Sequence, residues 1–411
     1  MQKFEKRSPV VVTEVTTKHE LRQFMQYPNR LYADNPNYIP SFYGDDLSDW
    51  TPGKNPAFDY CEARCWLAWR DGEIVGRIGA ILSHKANDKF GTHRMRFSQV
   101  DFVDDSEVSA ALFGTVERWA RQKGCDQVHG PLGFTDMDRE GMLVEGFDRR
   151  SLFITNYNAP YYPEHLTRLG YRKDVDWIEY RISVPAPGSA EAERLHRLSE
   201  FILKRKHLHV ATLHHKSDYG PFVRQVFELV NAAYAPLYGV VELSDEQIER
   251  YANKFIPLVD PDFVCFVLDE QDKLVAFGVT TLDPSPALKH SDGRLFPFGW
   301  AEVLNDLHHG DTLIMLLTAV RPDLQTEGIN AVMMDHVCQS CNRHGVQFAE
   351  TGPMLELNDH ILAQWKRLEK EQHKRRRCFI KDLDHGINAA NAAAAAQAEA
   401  PEAAPAAESA E

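Results

Sequence analysis

The residues of this chain that best fit a chemical role form a Gln-x-x-Gly loop, from Gln325 to Gly328, between an apolar run and a helical pattern. The apolar run predicts an interior strand over Thr312–Val320, and the pattern after it predicts a helix over Glu327–Arg343. Free amides and the helix dipole make such a helix start a binding place for pyrophosphate. No Lys-Ser or Lys-Thr pair follows, which excludes the ATP-type loop with its magnesium ligand. An ordinary helix N-terminus gives the same pattern, so the surrounding elements have to decide.

The elements that position this loop occur twice along the chain. Each half contains a hairpin with a polar turn, Cys65–Leu82 and Phe263–Leu282, followed by strand, helix, strand and helix. The predicted elements that end the two halves are helix Glu164–Leu169 and strand Trp177–Val184 in the first, and strand Gln347–Glu350, helix Asn358–Lys370 and strand Arg377–Leu383 in the second. This internal repetition favours a duplicated α/β unit, although two hairpins can also agree by chance.

The sequence therefore predicts two lobes, residues 1–184 and 191–385, each an α/β unit with a mixed, mostly antiparallel sheet flanked by helices. Residues 185–190, rich in Pro, Gly and Ser, are the predicted linker. Residues 386–411 are Ala-rich with scattered Glu and Pro and cannot bury enough apolar surface to offset chain entropy, so we expect a disordered tail.

Composition narrows the class of protein. The 411 residues are 43% hydrophobic and 10% aromatic, which is typical of a globular chain with ample cores. The net charge of −14 argues against a general nucleic-acid binder. The N-terminus has no apolar run of signal-peptide length, and no window approaches the about 20 apolar residues of a membrane span. Seven cysteines suit a reducing compartment, so we expect a cytoplasmic protein.

No residue pattern demands a metal. Cys338-x-x-Cys341 falls inside a predicted helix with no second pair at zinc spacing, which favours buried structural thiols. His308-His309 lacks a third ligand within reach along the chain.

Several longer motifs of the two halves identify a family. They are Asn55-Pro56-x-Phe58, Asp71-Gly72-x-x-Val75-Gly76-Arg77, Gly130-Pro131, Glu140-Gly141-x-Leu143-Val144-x-Gly146-Phe147-Asp148, Asn156-Tyr157-Asn158-x-Pro160-Tyr161-Tyr162 and Gly170-Tyr171 in the first half, and Val320-x-Pro322, Gln325-x-x-Gly328, Glu350 and Leu355-Glu356-x-Asn358 in the second. With these motifs the chain resembles the large bacterial two-lobed proteins of the GNAT superfamily of N-acyltransferases. The family's acyl-CoA loop reads Gln/Arg-x-x-Gly-x-Gly/Ala; here Asn330 stands at its last position and Ala331 follows one residue late.

The resemblance implies that acetyl-CoA or a longer acyl-CoA binds in the second lobe as co-substrate. The residues it assigns to this cofactor are Leu317, Ala319, Val320, Gln325, Gly328, Asn330, Ala331 and Asn358. At the corresponding place in the first lobe, Asp104, Asp105 and Glu107 precede or begin a helix, and these carboxylates would repel a pyrophosphate. We therefore expect the first lobe to bind the acceptor or to be structural.

Acyl transfer to an amine needs a neutral amine, a polarised thioester carbonyl and a protonated leaving group. In the family the thioester lies where two parallel strands part, which places Glu350 nearby as general base or ammonium anchor. A strand-end carboxylate in an ion pair is the alternative. The last helix has no Tyr to act as the acid, and His360 is the titratable substitute near its start. Glu356 can instead be a helix-start residue and Asn358 a helix cap.

Aromatic and acidic residues of both lobes are candidates for binding the acceptor. Tyr157, Tyr161 and Tyr162 fit either the lining of an acceptor pocket between the lobes or an aromatic patch that packs the lobes together. Glu140 suits a cationic amine if its loop faces the site, and is otherwise part of a solvated turn. Trp300 lies in the apolar run Leu295–Trp300, which fits a lipid or acyl channel, a membrane contact, or packing across a sheet edge.

The resemblance thus implies an acyl-CoA-dependent N-acyltransferase acting on a small-molecule or lipid amine, such as a sphingoid base. The sequence predicts no nucleic-acid partner and at most peripheral membrane contact. Two alternatives stay open: a transferase that takes an aminoacyl group from tRNA, and a non-catalytic GNAT-like binding protein.

Overall fold

The computed structural model describes residues 7–383. The predicted tail, 386–411, lies outside this range. The strands are β1 (Val11–Glu14), β2 (Cys61–Arg70), β3 (Glu73–Ser83), β4 (Arg94–Phe102), β5 (Gln127–Gly130), β6 (Met142–Glu145), β7 (Arg172–Ser183), β8 (His209–Val210), β9 (Val264–Leu268), β10 (Leu274–Leu282), β11 (Thr312–Val320), β12 (Phe348–Thr351), β13 (Met354–Leu355) and β14 (Lys370–Asp382). The helices are α1 (Lys18–Leu31), α2 (Tyr43–Asp49), α3 (His84–Phe90), α4 (Ser106–Gln122), α5 (Tyr162–Arg168), α6 (Ala190–Lys206), α7 (Gly220–Tyr234), α8 (Asp245–Phe255), α9 (Ser285–His290), α10 (Gly299–His309), α11 (Asn330–His344) and α12 (Asp359–Ala363).

All strands belong to one sheet, whose main path runs β1-β2-β3-β4-β5-β14-β7-β12-β11-β10-β9-β8. Strand β6 pairs with β14 and β13 pairs with β7 at its sides. The pairs β4–β5 and β11–β12 run parallel, and the other pairs are antiparallel. The predicted mixed, mostly antiparallel α/β class is confirmed.

The two halves exchange their last strands. Strand β7, which the sequence placed in the sheet of the first half, pairs with β12 of the second, with Ile182 opposite Ala349. Strand β14 from the chain's end pairs with β5 of the first half, with Phe379 opposite Gly130. The sequence assignment of these two strands to their own halves is therefore wrong. Their long mutual pairing joins the halves into one sheet and removes two open edges. The boundary at residues 185–190 stays a prediction.

Local sequence explains most elements, with one exception near the end. The Asp71-Gly72 turn has positive φ at both residues, as a tight hairpin between β2 and β3 requires. The predicted helix Asn358–Lys370 is wrong in length, because α12 is followed by a 3₁₀ turn, Gln364–Arg367. From Lys370 onward, pairing with β7 outweighs the helical pattern of the sequence. Within residues 7–383 we find no helix of the length and apolarity that crossing a membrane requires.

Candidate active site

The two parallel strands β11 and β12 pair only over a short distance and then part. Their register runs from Thr312 opposite Phe348 to Met315 opposite Thr351. The amide of Gly352 donates the last bond, to the Met315 carbonyl at 3.2 Å. At the same level the pairing of β10 with β11 has a bulge. Beyond this point β11 turns an open backbone edge toward the gap.

The gap opens into an apolar cavity of about 170 Å³ beneath α11. Its walls comprise the parting strands, α11, the end of β7 and the segment around α12; the lining includes Ile182, Val184, Met315, Leu317, Thr318, Asn330, Met333, Met334, Val337, Cys338, Thr351, Met354, Ile361 and Trp365. The Tyr234 hydroxyl reaches the gap from α7 and donates to the Thr318 carbonyl at 2.8 Å. An apolar pocket with few polar groups fits an acyl or pantetheine chain.

The Gln-x-x-Gly loop directly precedes α11, which begins at Asn330 rather than at the predicted Glu327, because residues 325–329 form a turn. Gly328 has φ +79°, and a Cβ there would lie 3.2 Å from Ile202 Cδ1, so this position favours glycine. The amides of Gly328 and Ile329 donate to no acceptor among residues 7–383. Gln325 bonds back to the Val320 carbonyl at 3.3 Å. The exposed loop therefore keeps free donors at the positive end of a helix.

Carboxylates near this loop are neutralised by neighbouring cations. Glu327 pairs with Lys206 at the end of α6 at 2.6 Å, and this bond lowers the pKa of Glu327. Asp323 pairs with Arg321 at 2.7 Å, which lowers the pKa of Asp323. The acidic side chains around the loop therefore present little net repulsion to an anion.

The predicted cofactor residues divide into those near the gap and those elsewhere. Leu317 and Asn330 line the cavity. Ala319, Val320 and Ala331 are instead buried in apolar cores beside it. Asn358 accepts from the Ile361 amide at 3.3 Å, so it caps α12, as its alternative interpretation had it.

Glu350 lies on β12 beside the gap, but on the opposite face of the sheet from the apolar cavity. Its neighbours Ala349 and Thr351 line that cavity, and alternation along the strand turns Glu350 the other way. Glu350 Oε2 lies 3.2 Å from Lys374 Nζ, while Oε1 accepts no bond from residues 7–383. Burial raises the pKa of Glu350 and Lys374 opposes this. Glu350 thus combines a raised pKa with one open oxygen.

Lys374 belongs to a buried ion cluster that spans the exchanged strands. Glu179 of β7 contacts Arg376 at 2.5 Å and Lys374 at 3.5 Å, and all three side chains are essentially inaccessible. Burial opposes ionisation of Glu179, but Arg376 and Lys374 hold its pKa below the usual range. Burial and Lys374 lower the pKa of the adjacent His373 to about 3. His373 is therefore neutral at ordinary pH, and Lys374 is the cation that pairs with Glu350.

A groove between the two halves has an inner wall that packs near the same gap. It consists of two adjoining cavities of about 820 and 70 Å³ that share Phe42, Asp45, Lys254 and Leu258. At the inner end, a Cβ on Gly352 would lie 3.6 Å from Ile154 Cδ1, so the groove wall touches the point where the strands part. The wall of the groove therefore packs against the point where β11 and β12 part, which also borders the acyl cavity.

The groove carries carboxylates that the sequence interpretation missed. Asp45 and Asp49 on α2 face Lys254 of α8 at 3.7 and 3.4 Å, and Arg250 contacts Asp49 at 2.5 Å. Burial raises the pKa of Asp45. The only local signal was the acidic run of α2, which becomes meaningful once α8 of the other half lies across from it.

The three tyrosines predicted for the acceptor pocket are mostly structural. Tyr162 is fully buried, and its hydroxyl bonds to the Tyr32 hydroxyl at 2.6 Å. Tyr161 donates to the Phe102 carbonyl at 2.5 Å. Tyr157 accepts from the Asn35 side chain at 2.7 Å beside a small cavity of about 30 Å³. Their contacts lie within the first half, so these tyrosines do not line the groove, and they do not pack the two halves together as the alternative interpretation had it.

The remaining predicted site residues lie away from the gap. His360 is exposed on α12 and lines neither cavity, so we do not retain it as the acid. Glu140 is partly buried beneath the first half's sheet, where burial and Asp136 raise its pKa well above the usual range. Trp300 is exposed on α10, and its indole donates to the Pro297 carbonyl at 3.1 Å.

One buried group of potential metal ligands forms where none was expected. The ligand atoms of His129, Asp174 and Cys378 lie within 4.8 Å of one another. The Tyr238 hydroxyl lies among them, 2.9 Å from His129 Nδ1, 2.5 Å from Asp174 and 3.5 Å from the Cys378 sulfur. Burial lowers the pKa of His129 to about 4. A tyrosine hydroxyl therefore already satisfies the three side chains.

Comparison with known proteins agrees with this geometry. No family model matches the chain. The chain is 26% identical to protein YghO of Escherichia coli (strain K12) over 383 residues, covering 91% of this chain and 95% of that protein. It is 28% identical to a bacterial ceramide synthase of Caulobacter vibrioides over 299 residues, covering 71% and 75%.

Among solved structures, a tandem GNAT protein from the clavulanic acid biosynthesis pathway superposes with a TM-score of 0.52 at 13% identity. The match covers 91% of this chain and 99% of that protein, so both GNAT units are included. At this identity the likeness concerns the fold. The chain is therefore a tandem GNAT-fold protein, and its resemblances support acyltransferase activity.

Proposed function

We propose that this protein is an acyl-CoA-dependent N-acyltransferase that uses the second half to bind acyl-CoA and the groove between the halves to bind a primary amine. The observation that carries the proposal is the gap between β11 and β12. The apolar cavity opens at this gap and is lined by Asn330 at the start of α11, next to the Gln-x-x-Gly loop, and the wall of the carboxylate-lined groove packs against Gly352 at the edge of the gap. The resemblance to GNAT proteins assigns the loop to the CoA phosphates and the gap to the thioester.

The residues of the chain fit the groups of acyl-CoA. The Gly328 and Ile329 amides suit the pyrophosphate, because they lie free at a helix N-terminus. The apolar cavity of about 170 Å³ suits the pantetheine or acyl chain. The open edge of β11 past Met315 offers backbone N–H groups that can polarise a thioester carbonyl.

The chemistry follows from this arrangement. An alkylamine with a pKa of about 10.4 is protonated at neutral pH, so a base must first remove a proton. Glu350, with its raised pKa and open Oε1, is our proposal for that base. The amine nitrogen then attacks the thioester carbon, the C–N bond forms and the C–S bond breaks. As the C–S bond breaks, the nitrogen loses its second proton, which passes through water to the leaving thiolate, so the products are the amide and free CoA thiol; we assign no acid in the chain.

The acceptor is proposed to be a long-chain or lipid amine. The groove combines carboxylates for an ammonium group with apolar walls, among them Phe42, Leu47 and Leu258. The 28% identity to a bacterial ceramide synthase supports a lipid amine such as a sphingoid base. The ammonium head group of the acceptor would lie near Asp45, and its hydrocarbon chain would lie along the apolar wall.

Ligand-induced stabilisation of the full chain tests the cofactor site. Acetyl-CoA, palmitoyl-CoA and free CoA should each raise the melting temperature, because they bind the folded form. Gly328→Trp should remove the shift, since the side chain fills the place of the pyrophosphate and strains a positive φ. The matched control is Gly345→Trp, which has similar strain at the other end of the same helix, with nothing within 4 Å. The control should keep the shift.

Two results would contradict the proposal. One is a wild-type protein whose melting temperature is unaffected by any of the three compounds. The other is an equal loss of the shift in the Gly328→Trp and Gly345→Trp variants, which would trace the effect to α11 as a whole.

A further inference from the structure

A compact group of exposed apolar side chains lies at the outer mouth of the groove. Phe296, Phe298, Trp300 and Leu304 are 81%, 76%, 48% and 42% exposed, and they fall within nine residues of the loop before α10 and its first turns. We call them the aromatic patch. Two phenylalanines at such exposure are costly in water, and neighbouring apolar residues at a surface mark an interaction site.

The aromatic patch is mounted on a rigid support. The Trp300 indole donates to the Pro297 carbonyl, which fixes the ring against the preceding turn. Val303 and Leu307, on the inner side of α10, are buried against the sheet. Gly293 packs so closely on Ser41 that a Cβ would come within 1.9 Å of its carbonyl oxygen. The exposed rings are therefore held outward by a well-packed element.

The patch is continuous with the substrate groove. Phe296 forms part of the wall of the 820 Å³ cavity, together with Leu295, Leu258 and Asp45. That cavity leads through Asp45 and Lys254 to the inner cavity whose wall touches the β11–β12 gap. A molecule entering beside the patch therefore meets an apolar wall first and the Asp45–Lys254 pair farther in.

The charges around the groove mouth suit an anionic lipid surface. Arg22 and Arg294 line the mouth, and neither pairs with a carboxylate within residues 7–383. Acidic groups around the mouth have cationic partners: Asp45, which lines the same cavity, lies 3.7 Å from Lys254, Glu302 pairs with His290 at 2.7 Å, and Asp292 lies near Lys289. Two free guanidinium groups beside exposed aromatic rings match the headgroup region of a membrane.

We propose that the aromatic patch docks this protein on the surface of a phospholipid bilayer containing anionic lipid, with the groove mouth facing the membrane. A second copy of the chain is the less suitable occupant, because four side chains fall short of the about 800 Å² per partner of a stable protein interface. Docking places the groove where an amphiphilic amine partitions. This role for the groove rests on the proposed function, whereas docking itself does not.

Flotation of the full chain with vesicles tests the docking directly. Equimolar phosphatidylcholine and phosphatidylglycerol vesicles should carry the protein, and high salt should weaken the binding because it screens the arginines. The variant Phe296→Ser/Phe298→Ser should bind about 30-fold or more weakly, since two rings no longer insert. The matched control is Phe201→Ser/Leu357→Ser, which removes two other exposed apolar side chains, 57% and 79% exposed, away from the patch. It should bind like the wild type.

The docking proposal is overturned if the wild type does not float, or if both double variants lose binding equally. It is also overturned if size-exclusion chromatography gives a dimer for the wild type and a monomer for the patch variant, because the patch would then join two copies. Melting shifts with acyl-CoA, measured on the same samples, report on the proposed function separately. Vesicle binding without a melting shift would support docking and contradict the proposed function. A melting shift without vesicle binding would support the proposed function and contradict docking.

Discussion

The helix that follows the fourth strand of each half begins in opposite ways. At the start of α4, the Asp105 carboxylate accepts from the amides of Glu107 and Val108 and pairs with Arg70 at 2.6 Å. At the start of α11, the Gly328 and Ile329 amides have no acceptor among residues 7–383. The same helix end is therefore closed by its own side chain in one half and open to an external anion in the other.

The space beneath the two helices also differs: it is filled in the first half and open in the second. In the first half, Phe97, Phe102, Phe113 and Tyr162 fill it, and the Phe102 and Tyr162 rings stack at 4.1 Å. In the second half, slender side chains such as Met333 leave the apolar cavity of about 170 Å³. Side-chain size alone can thus convert one copy of this fold into a binding unit and the other into a packed core.

Both halves nevertheless keep the irregularity at the gap. The β3–β4 pairing has a shift at Arg77/Gly79, and the β10–β11 pairing has one at Val279/Thr280. In the first half the buried Arg77 occupies this region and pairs with Asp101 at 2.7 Å. The two halves therefore share the irregular strand pairing and differ in the side chains around it.

The largest expected effect comes from Glu350→Gln, which removes the proposed base. We expect kcat/KM for a long-chain primary amine to fall about 100- to 10,000-fold at neutral pH. Acyl-CoA stabilisation should persist, because Lys374 keeps Glu179 as a partner at 3.5 Å. Since burial raises the pKa of Glu350, the wild-type rate should fall with decreasing pH already above the ordinary carboxyl range, and the variant should lack this limb.

The matched control for this prediction lies in the first half. His129 holds the register position on β5 that Glu350 holds on β12, opposite Arg96 rather than Ile314. His129→Gln should leave kcat/KM per folded molecule unchanged. A comparable loss of activity in both variants would mean that the two halves share the catalytic role, and the comparison between them would fail.

A smaller effect is expected from filling the cavity that distinguishes the second half. Val337→Phe places a ring in the apolar cavity and should lower kcat/KM for palmitoyl-CoA about 10- to 100-fold. Acetyl-CoA should change little, because its short acyl group needs less of that space. Val337→Ala is the control, since it enlarges the cavity and should keep palmitoyl-CoA. Equal losses with both donors would show that the cavity does not discriminate chain length.

The parts of the molecule that local sequence determines were predictable. Strand Thr312–Val320 has its predicted bounds, and the Gln-x-x-Gly loop directly precedes the next helix, because a buried run, a proline and a glycine leave few alternatives. The contrast between the acidic start of α4 and the open start of α11 was also readable from residue types. These features depend on neighbours a few residues apart along the chain.

The rest depends on contacts between distant residues. Exchange of β7 and β14 joins residues about half the chain apart, and nothing local distinguishes it from two separate sheets. Tyr161 and Tyr162 looked like pocket residues, because a sequence does not say which way a ring turns. The acidic run of α2 becomes part of a site only when α8 packs opposite it.

The smallest expected effect concerns the cap that closes the first half. Asp105→Ala should lower the free energy of unfolding by about 1 kcal/mol, because two amides of α4 lose their acceptor. Asp105→Asn keeps a cap and isolates the charge. The bond from Arg70 lowers the pKa of Asp105 in the folded state. The charge of Asp105 therefore stabilises the fold fully above the unfolded pKa of about 3.9. This stabilisation is lost as the pH falls through the lower pKa of the folded state. Denaturant titrations of the two variants at neutral and acidic pH measure the contribution of the cap hydrogen bonds and that of the Asp105 charge to the free energy of unfolding.

The same Asp105→Ala variant decides what closes the first half to CoA. Calorimetric titration should give one CoA per chain for the wild type and for the variant, since Phe102 and Tyr162 still fill the space beneath α4. A second CoA bound by the variant would mean that the carboxylate alone blocks the site. In that case the two halves would differ by a single cap, and the packed aromatic core would be a consequence of closure rather than its cause.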